Sequence, residues 1–142
     1  MECEFPTINA DSDEIREIFR SVRTIAVVGL SPDTSKASNR VAAYLKRAGY
    51  RIIPVYPKGD EILGEKVYRS LKEIPERVDM VDIFRKSAAV GQIVEACIER
   101  GDVKVVWMQV GIVNNEAAEA AKKSGMSVVQ SRCAMVDHRE LV

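Results

Sequence analysis

Residues 29 to 40 read Gly-Leu-Ser-Pro-Asp-Thr-Ser-Lys-Ala-Ser-Asn-Arg, and these types in this order could hold a phosphate. Gly29 permits close backbone approach, Ser31 and Ser38 supply hydroxyls, and Lys36 and Arg40 supply charge. The following stretch has helical periodicity, so free N–H groups and the positive end of a helix dipole would point at an anion here. The plainer alternative is a polar loop whose Ser38 caps the helix. The dinucleotide fingerprint G-x-G-x-x-G would need glycines where Ser31 and Thr34 stand, and no Gly-Lys-Ser/Thr triplet of a P-loop occurs.

A second set follows the next apolar run, at Val55, Tyr56, Pro57 and Lys58. An NAD site would place an acid here for the ribose hydroxyls, whereas a lysine suits a phosphate on the ribose. That favours a 3′- or 2′-phosphorylated adenosine, as in coenzyme A or NADP; the alternative is a solvated Lys58 in a Pro-Lys-Gly turn. Further along, Phe84 could cover a ring and Arg85 could pair with a phosphate, unless Phe84 is core and Arg85 snorkels. Gln109 and Gly111 follow a later run containing Trp107, which reads as core with an indole N–H in need of a partner. No paired carboxylates, Ser-His-Asp set or metal-ligand cluster can be assembled, and the chain has 1 histidine, His138. Binding is preferred to catalysis.

These residues need elements that bring them to one edge. Asp11 and Glu14 have the spacing of a helix N-cap and its partner, with Ile15, Ile18, Phe19 and Val22 in helical period behind them. Thr24 to Val28 is apolar on both faces, as a central parallel strand is. Val41, Leu45 and Ala48 mark a helix stopped by Gly49, and Arg51 to Val55 a second strand. Tyr68 to Ile74 gives a short helical turn, and Asp79 to Phe84 a third strand. Ser87 starts a helix that Gly101 ends, Lys104 to Met108 is a fourth strand, Asn114 or Asn115 caps an alanine-rich helix, and Met126 to Val129 is a fifth strand. Alternation of strands and helices predicts a parallel sheet covered on both faces, with ligand groups beyond the strands' carboxyl ends.

At 142 residues the chain suits one domain, spanning 1–142 with an N-terminal tail and helix in 1–22. With 21 Lys plus Arg against 21 Asp plus Glu there is no global field for nucleic acid or an anionic membrane, so an anionic ligand must be held locally. No apolar run approaches the length of a membrane span, the N-terminus lacks a signal-peptide pattern, and Cys3, Cys97 and Cys133 are too few and scattered for a disulfide framework. A cytoplasmic protein is expected.

Five ordered blocks resemble a known family: Ile25-Ala-Val-Val-Gly-Leu-Ser31, Gly49-Tyr-Arg-Ile-Ile-Pro-Val-Tyr-Pro57, Val81-Asp-Ile-Phe-Arg85, Val106-Trp-Met-Gln-Val-Gly-Ile-Val113 and Ser131-Arg-Cys133. They are similar to the small stand-alone CoA-binding proteins and to the N-terminal CoA-binding domain of the succinyl-CoA synthetase α subunit, from about Val22 to His138. The resemblance implies an α/β, Rossmann-like three-layer fold with a mainly parallel five-stranded sheet, expected in the order 3-2-1-4-5. It implies coenzyme A as ligand, with Gly29, Ser31, Ser38 and Arg40 around the pyrophosphate, Lys58 near the 3′-phosphoadenosine, Pro57, Phe84 and Arg85 bordering the nucleotide, and Gln109 with Gly111 on the pantetheine side. The synthetase subunit continues into a domain with a phosphorylated histidine, and no such ligase domain is expected here; His138 is expected to be a surface residue. Cys133 could form a mixed disulfide with CoA if Arg132 lowers its pKa, or be a small apolar residue after the fifth strand. Alternatives to a CoA or acyl-CoA binding module, alone, as a homodimer or with a partner enzyme, are an NADP-dependent oxidoreductase, an acyl-CoA ligase subunit and an interaction protein without ligand.

Overall fold

Apolar, β-branched runs alternate with amphipathic segments, and burial of the runs on both faces makes them the middle layer. The computed structural model describes residues 4–142. Its elements are α1 (Ser12–Ser21), β1 (Thr24–Val28), α2 (Ala37–Arg47), β2 (Arg51–Val55), β3 (Glu61–Ile62), β4 (Glu65–Lys66), β5 (Met80–Ile83), α3 (Val90–Arg100), β6 (Val105–Met108), α4 (Asn115–Lys123), β7 (Ser127–Val129) and α5 (Ala134–Leu141). The main sheet runs β2-β1-β5-β6-β7, all parallel. One apolar face packs on α3 and α4, through residues such as Val94, Cys97 and Ala118. The other packs on α1, α2 and α5, through Phe19, Leu45, Trp107 and Ala134. No helix among the described residues is long and apolar enough to cross a membrane.

The five-stranded parallel sheet and the Rossmann-like layering agree with expectation, but the strand order does not. Numbered along the main sheet it is 2-1-3-4-5, not 3-2-1-4-5. Pro54 explains why. In β2, Arg51 donates to Arg23 O and Val55 O accepts from Gly29, so the backbone of Pro54 faces the opposite edge. A third strand there would need a donor that proline lacks, and proline is confined to sheet edges. β2 is therefore an edge, covered only at its end, where Tyr68 N donates to Pro54 O and Tyr56 N to Tyr68 O, each at 3.0 Å.

Two further differences concern elements too short or too mixed for a periodic signal. The β2–β5 connection holds the antiparallel pair β3–β4, which was not expected, beside the single 3-10 turn at Leu71–Glu73 that falls within the turn expected at Tyr68 to Ile74. After β7, the unexpected α5 brings His138 against Phe19, Tyr44 and Tyr50, with ring centroids 5.1, 5.4 and 5.7 Å away. His138 is thus half-buried rather than a free surface residue; its Nδ1 lies 2.8 Å from the Tyr44 hydroxyl, and burial lowers its pKa.

Two helices, α1 and α4, start at side-chain caps. Asp11 accepts from Glu14 N at 2.9 Å, and Asn114 accepts from Ala117 N at 3.0 Å. Asn114 also donates from Nδ2 to Ser87 O at 3.0 Å, tying the start of α4 to the turn before α3. Asn114→Ala should therefore cost about 2 kcal/mol in urea denaturation, against about 1 for Asp11→Ala. Equal losses would show that the tie to Ser87 adds nothing.

Candidate functional site

The strand order puts the winding reversal between β1 and β5: the chain leaves β1 for α2 on one face and β5 for α3 on the other. Crevices beyond the carboxyl ends of such a pair are where ligands enter doubly wound sheets. Gly29, directly after β1, has φ +87° and donates to Val55 O at 2.9 Å. A Cβ there would stand 2.7 Å from the backbone oxygen of Phe84, so only glycine lets the two loops meet.

The loop to α2 is held by its own polar side chains. Ser31 N donates to Ser38 Oγ at 3.0 Å, and Asn39 Nδ2 to Ser31 O at 2.9 Å. Ser38 is therefore not the cap: α2 starts at Ala37, one residue earlier, and has no side-chain cap at all. In its first turn Asn39 N and Arg40 N donate to Lys36 O, which leaves the N–H groups of Ala37 and Ser38 to an anion or to water. Asp33, the acid of this loop, is turned back on Ser35 N and Oγ, which lower its pKa.

Three adjoining clefts cross this edge. A cleft of about 540 Å³ is walled by Gly29, Ser31, Ser38, Pro57, Phe84 and Arg85, with Lys36 and Tyr56. On the α3 side lies one of about 450 Å³ that shares Gly29, Tyr56, Pro57 and Arg85 and adds Arg69, Lys72 and Ile93. On the α2 side lies one of about 320 Å³ that shares Phe84 and Arg85 and adds Val41, Gln109, Val110 and Cys133. Arg85 stands at the junction of all three. A larger cleft of about 690 Å³ opens at the opposite end of the sheet. It is structural: Arg100 in its wall donates to the carbonyls of Leu71, Ile74 and Glu76 and to Asp102.

The groove walls carry an excess of positive charge. Arg16, Lys46, Arg51, Arg77, Arg100 and Arg132 are ion-paired. Lys36, Arg69, Lys72, Arg85 and Lys86, which wall the groove, have no carboxylate partner among the described residues, and the walls hold one acid, Glu99. A chain of zero net charge thus has a locally cationic groove.

Of the residues singled out from sequence, Gly29, Ser31, Ser38, Pro57, Phe84, Arg85, Gln109 and Cys133 come together in its walls. Arg40 lies outside, its guanidinium donating to Ser35 O. Lys58 is exposed beyond Pro57, and Gly111 is a turn residue whose N–H donates to Ser131 Oγ at 3.0 Å. Arg69 and Lys72 were missed, because they reach the groove through a connection with no periodic signal. Trp107 is core, and its Nε1 donates to Arg132 O at 2.8 Å. Cys133 sits half-buried at the start of α5, but the expected help from Arg132 is absent, since Asp137 takes that guanidinium at 2.7 and 2.9 Å. Cys97 is buried and its pKa is pushed up to about 12, which leaves it inert.

Asp82 is a feature the sequence did not flag. It is 0% exposed in β5; Oδ1 accepts from Gln109 Nε2 at 2.6 Å, and Oδ2 has no partner. Burial pushes its pKa up to about 7, against the lowering effect of the Gln109 bond.

Comparison with known proteins gives the same direction. A family model described as a CoA binding domain matches residues 23–139. The chain is 42% identical to the uncharacterized protein YneT of Bacillus subtilis (strain 168) over 92% of its own length and 96% of that protein's. It is 33% identical to the alpha subunit of the ADP-forming acetate–CoA ligase II of Pyrococcus furiosus over 82% of its length, but spans only 28% of that subunit. A solved hypothetical protein from Pyrococcus horikoshii OT3 superposes with a TM-score of 0.90 at 39% identity, covering 99% of each chain. With the family model covering most of the chain and the groove at the switch point of its sheet, the chain belongs to the CoA binding domain family.

Proposed function

We propose that the protein binds coenzyme A or an acyl-CoA along the groove, as a module without a complete set of catalytic groups. The observation that carries this reading is the concentration of Lys36, Arg69, Lys72, Arg85 and Lys86 in groove walls that hold one acid, Glu99, in a chain of zero net charge. The pyrophosphate would lie at the uncapped start of α2, with Gly29, Ser31 and Ser38, and with Arg40 at the margin. The adenosine would take the α3-side cleft against Pro57, its 3′-phosphate within the field of Arg69 and Lys72 and of Lys58 at the rim. Phe84 and Arg85 would border the nucleotide at the junction, and the pantetheine arm would run toward Gln109, Gly111 and Cys133. Redox linkage through Cys133 is not part of the proposal, because the Arg132 guanidinium expected to assist the thiol is bound by Asp137.

Calorimetry at moderate salt with CoA, dephospho-CoA, NADP and NAD tests this. CoA should bind, dephospho-CoA about tenfold more weakly, and Lys72→Ala and Lys58→Ala should weaken CoA while sparing dephospho-CoA. A preference for NADP would move the assignment to an oxidoreductase, and no binding of any of the four would leave a scaffold. Likeness to the ligase alpha subunit supports a second reading, in which the chain is the CoA-binding subunit of an acyl-CoA ligase that needs a separate partner. Sedimentation with and without CoA would show whether the loaded chain is also a homodimer.

A further inference from the structure

Asp82 and Gln109 form a buried polar pair that the fold does not need. A carboxyl with 0% exposure, one hydrogen bond and an orphaned Oδ2 costs stability that an apolar residue would not. Side chains alternate along strands, so Asp82 and Phe84 on one strand, and Trp107 and Gln109 on the next, project to the same face, toward α2 and α5. There Gln109 enters the wall of the 320 Å³ cleft, whose other walls include the apolar Val41, Phe84, Val110, Ile112 and Cys133. One N–H of its amide is fixed on Asp82; its other N–H and its Oε1 have no protein partner among the described residues. A small, mostly apolar cleft with one oriented amide, and with Arg85 and Lys86 also in its walls, is poorly used by free CoA, which ends in a thiol. It suits a short acyl chain against the walls and a thioester carbonyl against the amide.

We propose that this end of the groove selects a short-chain acyl-CoA over free CoA, with Gln109 donating to the thioester carbonyl and Asp82 acting as the positioning residue that holds the Gln109 amide. This rests on the CoA reading above. Calorimetry on the full chain with CoA, butyryl-CoA and the butyl thioether of CoA, which keeps the chain but lacks the carbonyl, tests it. Butyryl-CoA should bind about tenfold more tightly than the thioether, and the thioether more tightly than CoA. The ratio of butyryl-CoA to thioether affinity should survive in Asp82→Asn, whose amide oxygen still accepts from Gln109, and fall toward one in Asp82→Leu. Because a ratio is read on one protein, a general loss of affinity cancels, and a melting temperature at or above that of the wild type certifies the fold of Asp82→Leu. Equal affinities of the wild type for all three ligands would overturn the inference and leave the CoA reading standing, whatever the variants do. A ratio that persists in Asp82→Leu would remove Asp82 from the role, and no binding of any ligand would sink the CoA reading itself.

Discussion

Gly29→Ala is expected to lose roughly 4 kcal/mol of stability, enough to unfold a marginal domain and to remove the groove with it. Two costs combine. At φ +87° an alanine is held in the left-handed region, which costs about 1 kcal/mol. Its Cβ would also stand 2.7 Å from the oxygen and 3.2 Å from the carbon of the Phe84 carbonyl. That carbonyl is backbone, and Phe84 N is already committed to Val28 O at 2.9 Å, so relief means prising β5 from β1 at the winding reversal. Gly101→Ala separates the two costs. Gly101 ends α3 at φ +79° with nothing within 4 Å of a Cβ, so its loss should stay near 1 kcal/mol. Urea denaturation of both variants gives the difference; equal losses would mean that the meeting of the two loops is not a constraint.

The same glycine shows how far a sequence can be read. A glycine after an apolar run is visible as a phosphate-loop candidate, and Ser31, Ser38 and Arg85 follow from the rule that ligands sit beyond strand ends. All five strands of the main sheet were legible because each is a short apolar run bounded by turn residues. The strand order was legible too, in Pro54, but a proline inside a β-branched run is easily taken as filler. In the connection carrying Arg69 and Lys72 the short turn was legible, but the β3–β4 pair was not, since two-residue strands have no period. Nor was α5, because Ala134–Leu141 buries only Ala134 and Asp137 and shows no broad apolar stripe. Arg40 and Lys58 follow from charge and from position after a strand, and neither says which way a long side chain turns. Asp82 was hidden by its neighbours: between Val81 and Ile83 a single acid reads as a solvent-facing strand position, whereas the parallel sheet buries both faces.

Replacing Asp82 by asparagine should raise stability at pH 8 by up to about 4 kcal/mol and change it little at pH 4. The sign follows from the proton. The unfolded carboxyl has a pKa near 3.8 and the folded one is raised to about 7. Between these values the unfolded chain has released a proton that the folded chain still holds, so this group's contribution falls as pH rises from about 4 to about 7 and then levels off. Asparagine keeps the shape and an acceptor for Gln109 but cannot ionise, which removes the slope. Other shifted groups do not disturb the comparison. Against its burial Glu65 is lowered by Lys46 and Arg51, Glu76 is lowered by Arg51, against its burial Asp102 is lowered by Arg100 and the Val78 N–H, and His138 is lowered by burial; all are expected to titrate alike in both proteins. The difference between wild type and variant, measured by urea denaturation at half-unit steps from pH 4 to 8, therefore isolates Asp82. A constant difference across that range would show that the carboxyl ionises freely in the fold and that its burial carries no penalty. A difference that opens with pH would locate a standing cost beside the groove, in a buried carboxyl whose hydrogen bond leads into it. A cost retained at that place, where a leucine would pack without it, is what a ligand-orienting residue predicts and a filler residue does not.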